Sequence, residues 1–198
     1  MINAYVILIL ITSVTETVNG VDLTLVSGSS GAHVVRAVLS KIETSDAFPS
    51  TSAGLVNPFM RKMAYVETRD GAVISGGGIW NISPAHFTET HGSMSASVHR
   101  ALQQSEGQDA LGPINWESIT YENLSIPLYS GLAARILIHR ESSAPQYTQQ
   151  AGFWNSVFKN SASNQNLWQT GVTELTMNEG SYTISVQCIN IVGIVALH

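Results

Sequence analysis

Hydrophobic residues recur at helical spacing along much of the chain. The first such set consists of Val34, Val35, Val38, Leu39 and Ile42. Their spacing of three and four residues puts them on one face of a helix. Asn57-Pro58 predicts the start of a second helix, because proline is favoured at the first helical position. Gly71 predicts the end of that helix, since glycine adopts the left-handed conformation that commonly follows a last turn.

Further helices are predicted from signals at their first residues. These signals are Ser83-Pro84, Ser93, Asn115-Trp116, Ser125 with Pro127, and Ser143-Ala144-Pro145. Ser and Asn side chains cap the first turn of a helix, and proline fits the first helical position.

Two regions favour extended structure instead. Gly76-Gly77-Gly78 leads into the short segment Ile79-Trp80-Asn81-Ile82, and after Asn160 alternating pieces such as residues 182–186 predict strands. The pattern therefore predicts a mainly α (α+β) fold. We expect one helical domain with a small β element in the middle and strands near the C-terminus.

Both ends of the chain carry apolar runs that are too short for a transmembrane helix, which needs about 20 residues. Residues 4–11 form the first run, and a polar stretch ending in Val18-Asn19-Gly20 follows it. This arrangement predicts a secretory signal over residues 1–20, a secreted protein and one domain over 21–198; the alternative is a buried N-terminal strand. The run over residues 184–197 predicts a strand or a strand pair, with a cleaved lipid-anchor signal as the alternative.

Composition narrows the classes of function. Only 12% of the 198 residues are charged, and the net charge is −5 without a basic cluster, so we expect no nucleic-acid partner. The single cysteine, Cys188, excludes an intrachain disulfide and a cysteine-based zinc site. The six histidines lack paired metal-ligand spacing, so we expect neither a metal nor a cofactor. The sequence leaves the oligomeric state open.

Glu67 is the candidate for chemistry. It falls on the last turn of the second predicted helix, where the negative end of the helix dipole and partial burial favour the protonated acid. A protonated carboxyl can act as a general acid. Asp70 is the first candidate for a second carboxylate, although a residue beside Gly71 is more simply explained by solvating or capping the turn. Glu89 and Glu106 are the other candidates.

The segment around Glu67 resembles a known motif. Glu67-Thr68, followed by Gly77-Gly78-Ile79-Trp80-Asn81, is similar to the first motif of the soluble lytic transglycosylases and goose-type lysozymes. Together with residues 127–135, it also resembles a group of secreted animal proteins that carry this lysozyme-like signature. The resemblance is strongest over residues 55–160. It implies a lysozyme-like fold and cleavage of β-1,4-linked amino-sugar polymers, either peptidoglycan or chitin-like.

By this resemblance, Glu67 is the general acid, and Ile79, Trp80 and Asn81 line the glycan cleft. The glycine-flanked loop is expected to expose the Trp80 ring, which then stacks on a sugar. Asn81 stands where the transglycosylases usually have glutamine. A secreted protein that binds glycans on a lysozyme-like frame without turnover is the alternative function. Separately, Asn123-Leu124-Ser125 predicts a glycosylation site.

Overall fold

The structure of the chain is a computed structural model. It describes residues 17–18, 20–48, 53–73, 76–105, 110–141, 146, 149–159 and 166–179. Seven α-helices occur in these residues: α1 Ala32–Glu43, α2 Ala53–Thr68, α3 Pro84–Thr90, α4 Ala96–Gln104, α5 Pro127–Arg140, α6 Gln150–Trp154 and α7 over residues 166–179. A π-helical turn, Asn155–Lys159, continues α6. Strands β1 Thr17–Val18 and β2 Val21–Asp22 pair antiparallel. The predicted mainly helical fold class is confirmed.

Helix α5 lies at the centre of the domain. Its side chains are buried around nearly the whole circumference between Pro127 and Ile138, as expected for a helix that other elements surround. Helices α1 and α3 pack against it. Gly131 allows the closest approach, because a Cβ atom there would lie 2.5 Å from the Val38 side chain and 3.1 Å from the Trp80 ring.

Helix α7 packs against α2 through an aromatic contact and two ion pairs. The rings of Phe59 and Trp168 stack with their centroids 5.4 Å apart. Arg69 pairs with Glu174 at 2.7 Å. Arg61 pairs with Glu179 at 3.1 Å. Thus α7 is fixed beside the C-terminal half of α2, where Glu67 lies.

Most predicted helix positions agree with the structure, but the predicted start of α2 at Asn57-Pro58 was wrong. Helix α2 begins at Ala53, and Pro58 lies inside it. A proline at this position removes one backbone hydrogen bond, to the carbonyl of residue 54. The fully buried side chains of Phe59, Met60 and Met63 follow directly. Their burial stabilises a helix that the local start signal alone does not predict.

The predicted strands differ most from the structure. Residues 79–82 form tight turns, in which the amides of Asn81 and Ile82 donate to the carbonyls of Gly78 and Gly77 at 3.0 and 3.1 Å. The β pair lies at residues 17–22 instead. Residues 166–179 form α7 rather than strands, because Trp168, Val172 and Leu175 recur at helical spacing and turn toward the core.

Several other predictions fall outside the described residues. These are the strand at 182–186, the apolar run at 184–197, the start signal at 143–145 and nearly all of the signal peptide. Among the described helices, none has both the length and the apolar character needed to cross a bilayer.

Candidate functional site

The end of α2 is tied to the loop over residues 76–82, which we call the glycine-rich loop. Residues 69 and 70 adopt left-handed conformations with φ of 53° and 59°, and Gly71 follows at 89°. The Thr68 hydroxyl donates to the Ile79 carbonyl at 2.7 Å and accepts from the Gly71 amide at 2.9 Å. One buried hydroxyl therefore holds the helix end, the turn and the loop together.

The same loop is fixed to the central helix. The Ser130 hydroxyl of α5 donates to the Gly77 carbonyl at 3.0 Å, and the Trp80 amide donates to Ser130 Oγ at 3.2 Å. Asn81 has a φ of 50°, a conformation that asparagine tolerates better than most residues. Its side chain donates from Nδ2 to Glu67 Oε2 at 2.9 Å.

Three nitrogen donors converge on Glu67. Besides Asn81, the Trp154 indole donates to Oε1 at 2.7 Å, and Lys159 Nζ donates to Oε2 at 2.6 Å. The Glu67 side chain is only 3% exposed. The partial burial inferred from the sequence is therefore present. The donors to Glu67 are one ammonium and two N–H groups, and a hydrogen bond from an ammonium to a carboxylate is among the stronger ones in proteins.

Sequence reasoning missed Trp154 and Lys159 as partners of Glu67. They lie 87 and 92 residues beyond it in the chain and reach it through α6 and its π-helical turn. The Trp154 ring packs 5.4 Å from Trp168, and Gln150 Oε1 accepts from Lys62 Nζ at 2.8 Å. In the sequence, Trp154 belongs to an ordinary apolar stripe, so no local signal connects it to Glu67.

Trp80 is not the exposed ring that the glycine-flanked loop led us to expect. It is 0% exposed, and its Nε1 donates to the Met60 carbonyl at 3.0 Å. Because the loop turns toward α5, the ring fills the core between helices and cannot stack on a sugar in this conformation. Ile79 is also buried, and its carbonyl already accepts from Thr68. Of the three expected cleft residues, Asn81 is the one whose side chain donates a hydrogen bond to Glu67.

Asp70 points to a different set of partners. It accepts from Arg61 through both carboxylate oxygens at 2.5 and 3.0 Å. Burial is the largest effect on its pKa and raises it, whereas the Arg61 guanidinium opposes that rise. The structure therefore places Asp70 in a buried ion pair with Arg61, rather than in the role of solvating or capping the turn that we favoured. Glu89 pairs with Arg140 at 2.8 Å, and residue 106 lies outside the described residues.

We expect Asp70→Asn to lower the free energy of unfolding by about 3 kcal/mol, because it removes the main partner of a buried arginine. Asparagine keeps the tolerance of a left-handed backbone, so the substitution isolates the charge. Urea denaturation followed by tryptophan fluorescence measures the change. In the control, Glu174→Gln breaks an ion pair whose side chains are 38% and 45% exposed, and it should cost at most about 1 kcal/mol. Equal losses in the two variants would contradict the assignment.

The described part of the surface also contains a pocket. This open pocket of about 220 Å³ is lined by His86, Glu89, Leu137, Glu141, Ser156 and Val157. Glu67 is not among these residues. In the described ranges, no three His, Cys, Asp or Glu side chains are grouped so that they could hold a metal ion. The Asn123 side chain accepts from the Thr120 amide at 2.8 Å, and its glycosylation stays a prediction.

Comparison of the chain with protein-family models, with curated proteins and with solved structures finds no match. The resemblance to lysozyme-like proteins thus stays a prediction based on the motif residues.

Proposed function

We propose that the protein is a secreted enzyme that cleaves β-1,4-linked amino-sugar polymers, with Glu67 as the reacting carboxyl group. The observation that carries the proposal is the set of three N–H donors around this one buried carboxylate. The donors come from the glycine-rich loop, from α6 and from the π-helical turn. They give the carboxylate a fixed position at the end of α2, beside the motif that resembles lytic transglycosylases.

The donors suit the charge changes of glycosidic cleavage. Glu67 in its protonated form gives its proton to the glycosidic oxygen. The resulting carboxylate is stabilised by Asn81 and Trp154 during this step, and Lys159 pairs with it again afterwards. Preorganised donors of this kind lower the energy of a charge that develops during reaction. The protonated glycosidic oxygen then leaves with the electrons of its bond to the anomeric carbon. In the second step, an oxygen of water or of a substrate hydroxyl bonds to that carbon, and the carboxylate accepts its proton. Water gives hydrolysis, and the hydroxyl gives transglycosylation.

A second carboxylate is not required in this scheme. Asp70 is engaged by Arg61 and makes no hydrogen bond to Glu67. Many glycosidases use two carboxylates whose separation sets the stereochemistry, but substrate-assisted enzymes form the new bond through a group of the sugar itself. Transglycosylation by the substrate's own hydroxyl belongs with the second type, and hydrolysis needs only a positioned water.

The proposal is tested by incubating the purified protein with an N-acetylglucosamine hexamer and, separately, with peptidoglycan. Mass spectrometry of the products identifies the polymer and the reaction, because hydrolysis adds one water per bond cleaved and transglycosylation adds none. We expect shorter oligomers from at least one polymer. The absence of products from both, over pH 4 to 8, would contradict the enzymatic function.

A non-catalytic glycan-binding protein is the second candidate function. It is favoured by the low exposure of the Glu67 side chain, 3%, which limits the access of a substrate to the carboxyl group. In this alternative, the pair of Glu67 and Lys159 only joins the π-helical turn to α2. Retention on chitin or peptidoglycan beads without any cleavage would support this candidate over the enzyme.

A further inference from the structure

The contacts that hold Glu67 differ in how readily they can be broken. Trp154 is fully buried, and its ring packs against Trp168. Asn81 lies in the tight turn whose backbone is bonded to Gly78 at 3.0 Å. The Lys159 side chain, in contrast, is 22% exposed. A lysine carries its ammonium on a flexible four-carbon chain, so Lys159 can leave Glu67 without unpacking the core.

The turn that carries Lys159 has features of its own. Residues 155–159 form a π-helical turn, a rare conformation that is frequent at functional sites. Asn155 is 5% exposed, and neither the nitrogen nor the oxygen of its side-chain amide has a hydrogen-bond partner. An unsatisfied buried polar group raises the free energy of the folded state, so a rearrangement that gives Asn155 partners is favourable. Because Lys159 ends the same turn, such a rearrangement can move its ammonium away from Glu67.

We propose that Lys159 is a gate on Glu67. With its ammonium on Oε2, the side chain closes the carboxyl group to solvent, and its departure opens Oε2 to the glycan. Asn81 and Trp154 keep the carboxyl in position in both states. This inference rests on the proposed function, but its test does not depend on enzymatic activity.

The test is chemical modification of carboxyl groups in the full chain with a water-soluble carbodiimide. The reagent activates the Glu67 carboxyl, an amine attacks Cδ to form an amide, and the carbodiimide leaves as its urea with the displaced oxygen. Without added amine, we expect wild-type protein to form an amide between Glu67 and Lys159, because departures of Lys159 admit the reagent and its return brings the amine onto the activated carboxyl group. Peptide mass spectrometry identifies this cross-link by the loss of one water.

With excess glycinamide, the same chemistry reports the access to Glu67. Lys159→Met should raise the labelling of Glu67 severalfold above wild type. Lys41→Met is the matched control, because Lys41 has a similar exposure of 24% and pairs with Asp22 rather than with Glu67, and it should leave the labelling unchanged. Glu43, which is exposed at the end of α1, serves as the internal reference in every sample.

Equal labelling of Glu67 in wild type and Lys159→Met, or no cross-link in wild type, would overturn the gate. Lys159→Gln provides a second variant, and the cross-link needs no substitution at all. The cleavage assay separates the two proposals. If labelling rises as expected but neither protein cleaves a glycan, the gate stands and the enzymatic function fails. If wild type cleaves but labelling does not change, the function stands and the gate fails.

Discussion

Glu67→Gln should lower the rate of glycan cleavage by about 100- to 10,000-fold, the range that general acid catalysis contributes. Glutamine has nearly the same shape as glutamate, and its carbonyl oxygen can still accept from the Trp154 indole or from Lys159. It has no acidic proton to give to the glycosidic oxygen. The loss should therefore appear in the rate and leave the fold intact. Initial rates on the oligosaccharide or peptidoglycan that the wild type cleaves measure it.

The matched control for this variant is Glu43→Gln. Glu43 also lies at the C-terminal end of a helix, α1, but its side chain is exposed. We expect this variant to cleave at the wild-type rate. Circular dichroism and denaturation midpoints should show that both variants are folded. A Glu67→Gln protein that is as active as Glu43→Gln would remove Glu67 from the mechanism.

Gly78→Ala should destabilise the protein by about 4 kcal/mol or more, which places it among the most severe single substitutions. Gly78 has a φ of 68°, and an added Cβ would lie 2.1 Å from the Leu124 carbonyl oxygen and 2.6 Å from Ser130 Oγ. The carbonyl belongs to the backbone and cannot rotate away as the end of a side chain would. Loss of cooperative unfolding in urea, or a large fall in its midpoint, measures the effect.

Gly112→Ala is the control that separates the cost of a left-handed backbone from the cost of a steric clash. Gly112 has a similar φ of 63°, but an added Cβ would meet no atom within 4 Å. Gly112→Ala should lower the free energy of unfolding only by the cost of placing alanine in the left-handed conformation, about 1–2 kcal/mol. Equal losses for Gly78→Ala and Gly112→Ala would show that the loop does not dock against Leu124 and Ser130 as described.

The glycines of the glycine-rich loop show which structural feature the motif predicts and which it does not. The resemblance suggested that the loop exposes Trp80 to a glycan. In the structure, the glycines bring the loop backbone close to α5 and direct Trp80 into the core. A sequence pattern indicates that a tight turn is needed. The direction of the turn depends on the groups of the neighbouring helix that bond to it, here the Ser130 hydroxyl of α5.

The helices were largely predictable, because apolar spacing and local caps determine them. Ser83 accepts from the His86 amide as its capping position implies, and α5 begins at Pro127. The start of α2 and the whole of α7 were missed, since burial against distant residues stabilises them. Trp168 of α7, for example, packs on Phe59 from more than 100 positions earlier in the chain.

The candidate site was predictable only in its local part. Glu67, Asn81 and the loop between them are close in sequence, and one motif connects them. Trp154 and Lys159 come from a different part of the chain and meet Glu67 only after α6 has packed beside α2. Neither residue type is unusual where it stands. Their role arises from tertiary contacts that spacing does not encode.

The most direct test of the central claim compares Lys159→Met with the double variant Lys159→Met/Glu67→Gln. In this background the ammonium is absent, so the two proteins differ only in the carboxyl group at position 67. The measurement is the initial rate of cleavage of the polymer on which wild type is active. We predict that Lys159→Met cleaves it and that the double variant does not. Equal rates for the two folded proteins would contradict the assignment of Glu67 as the reacting group.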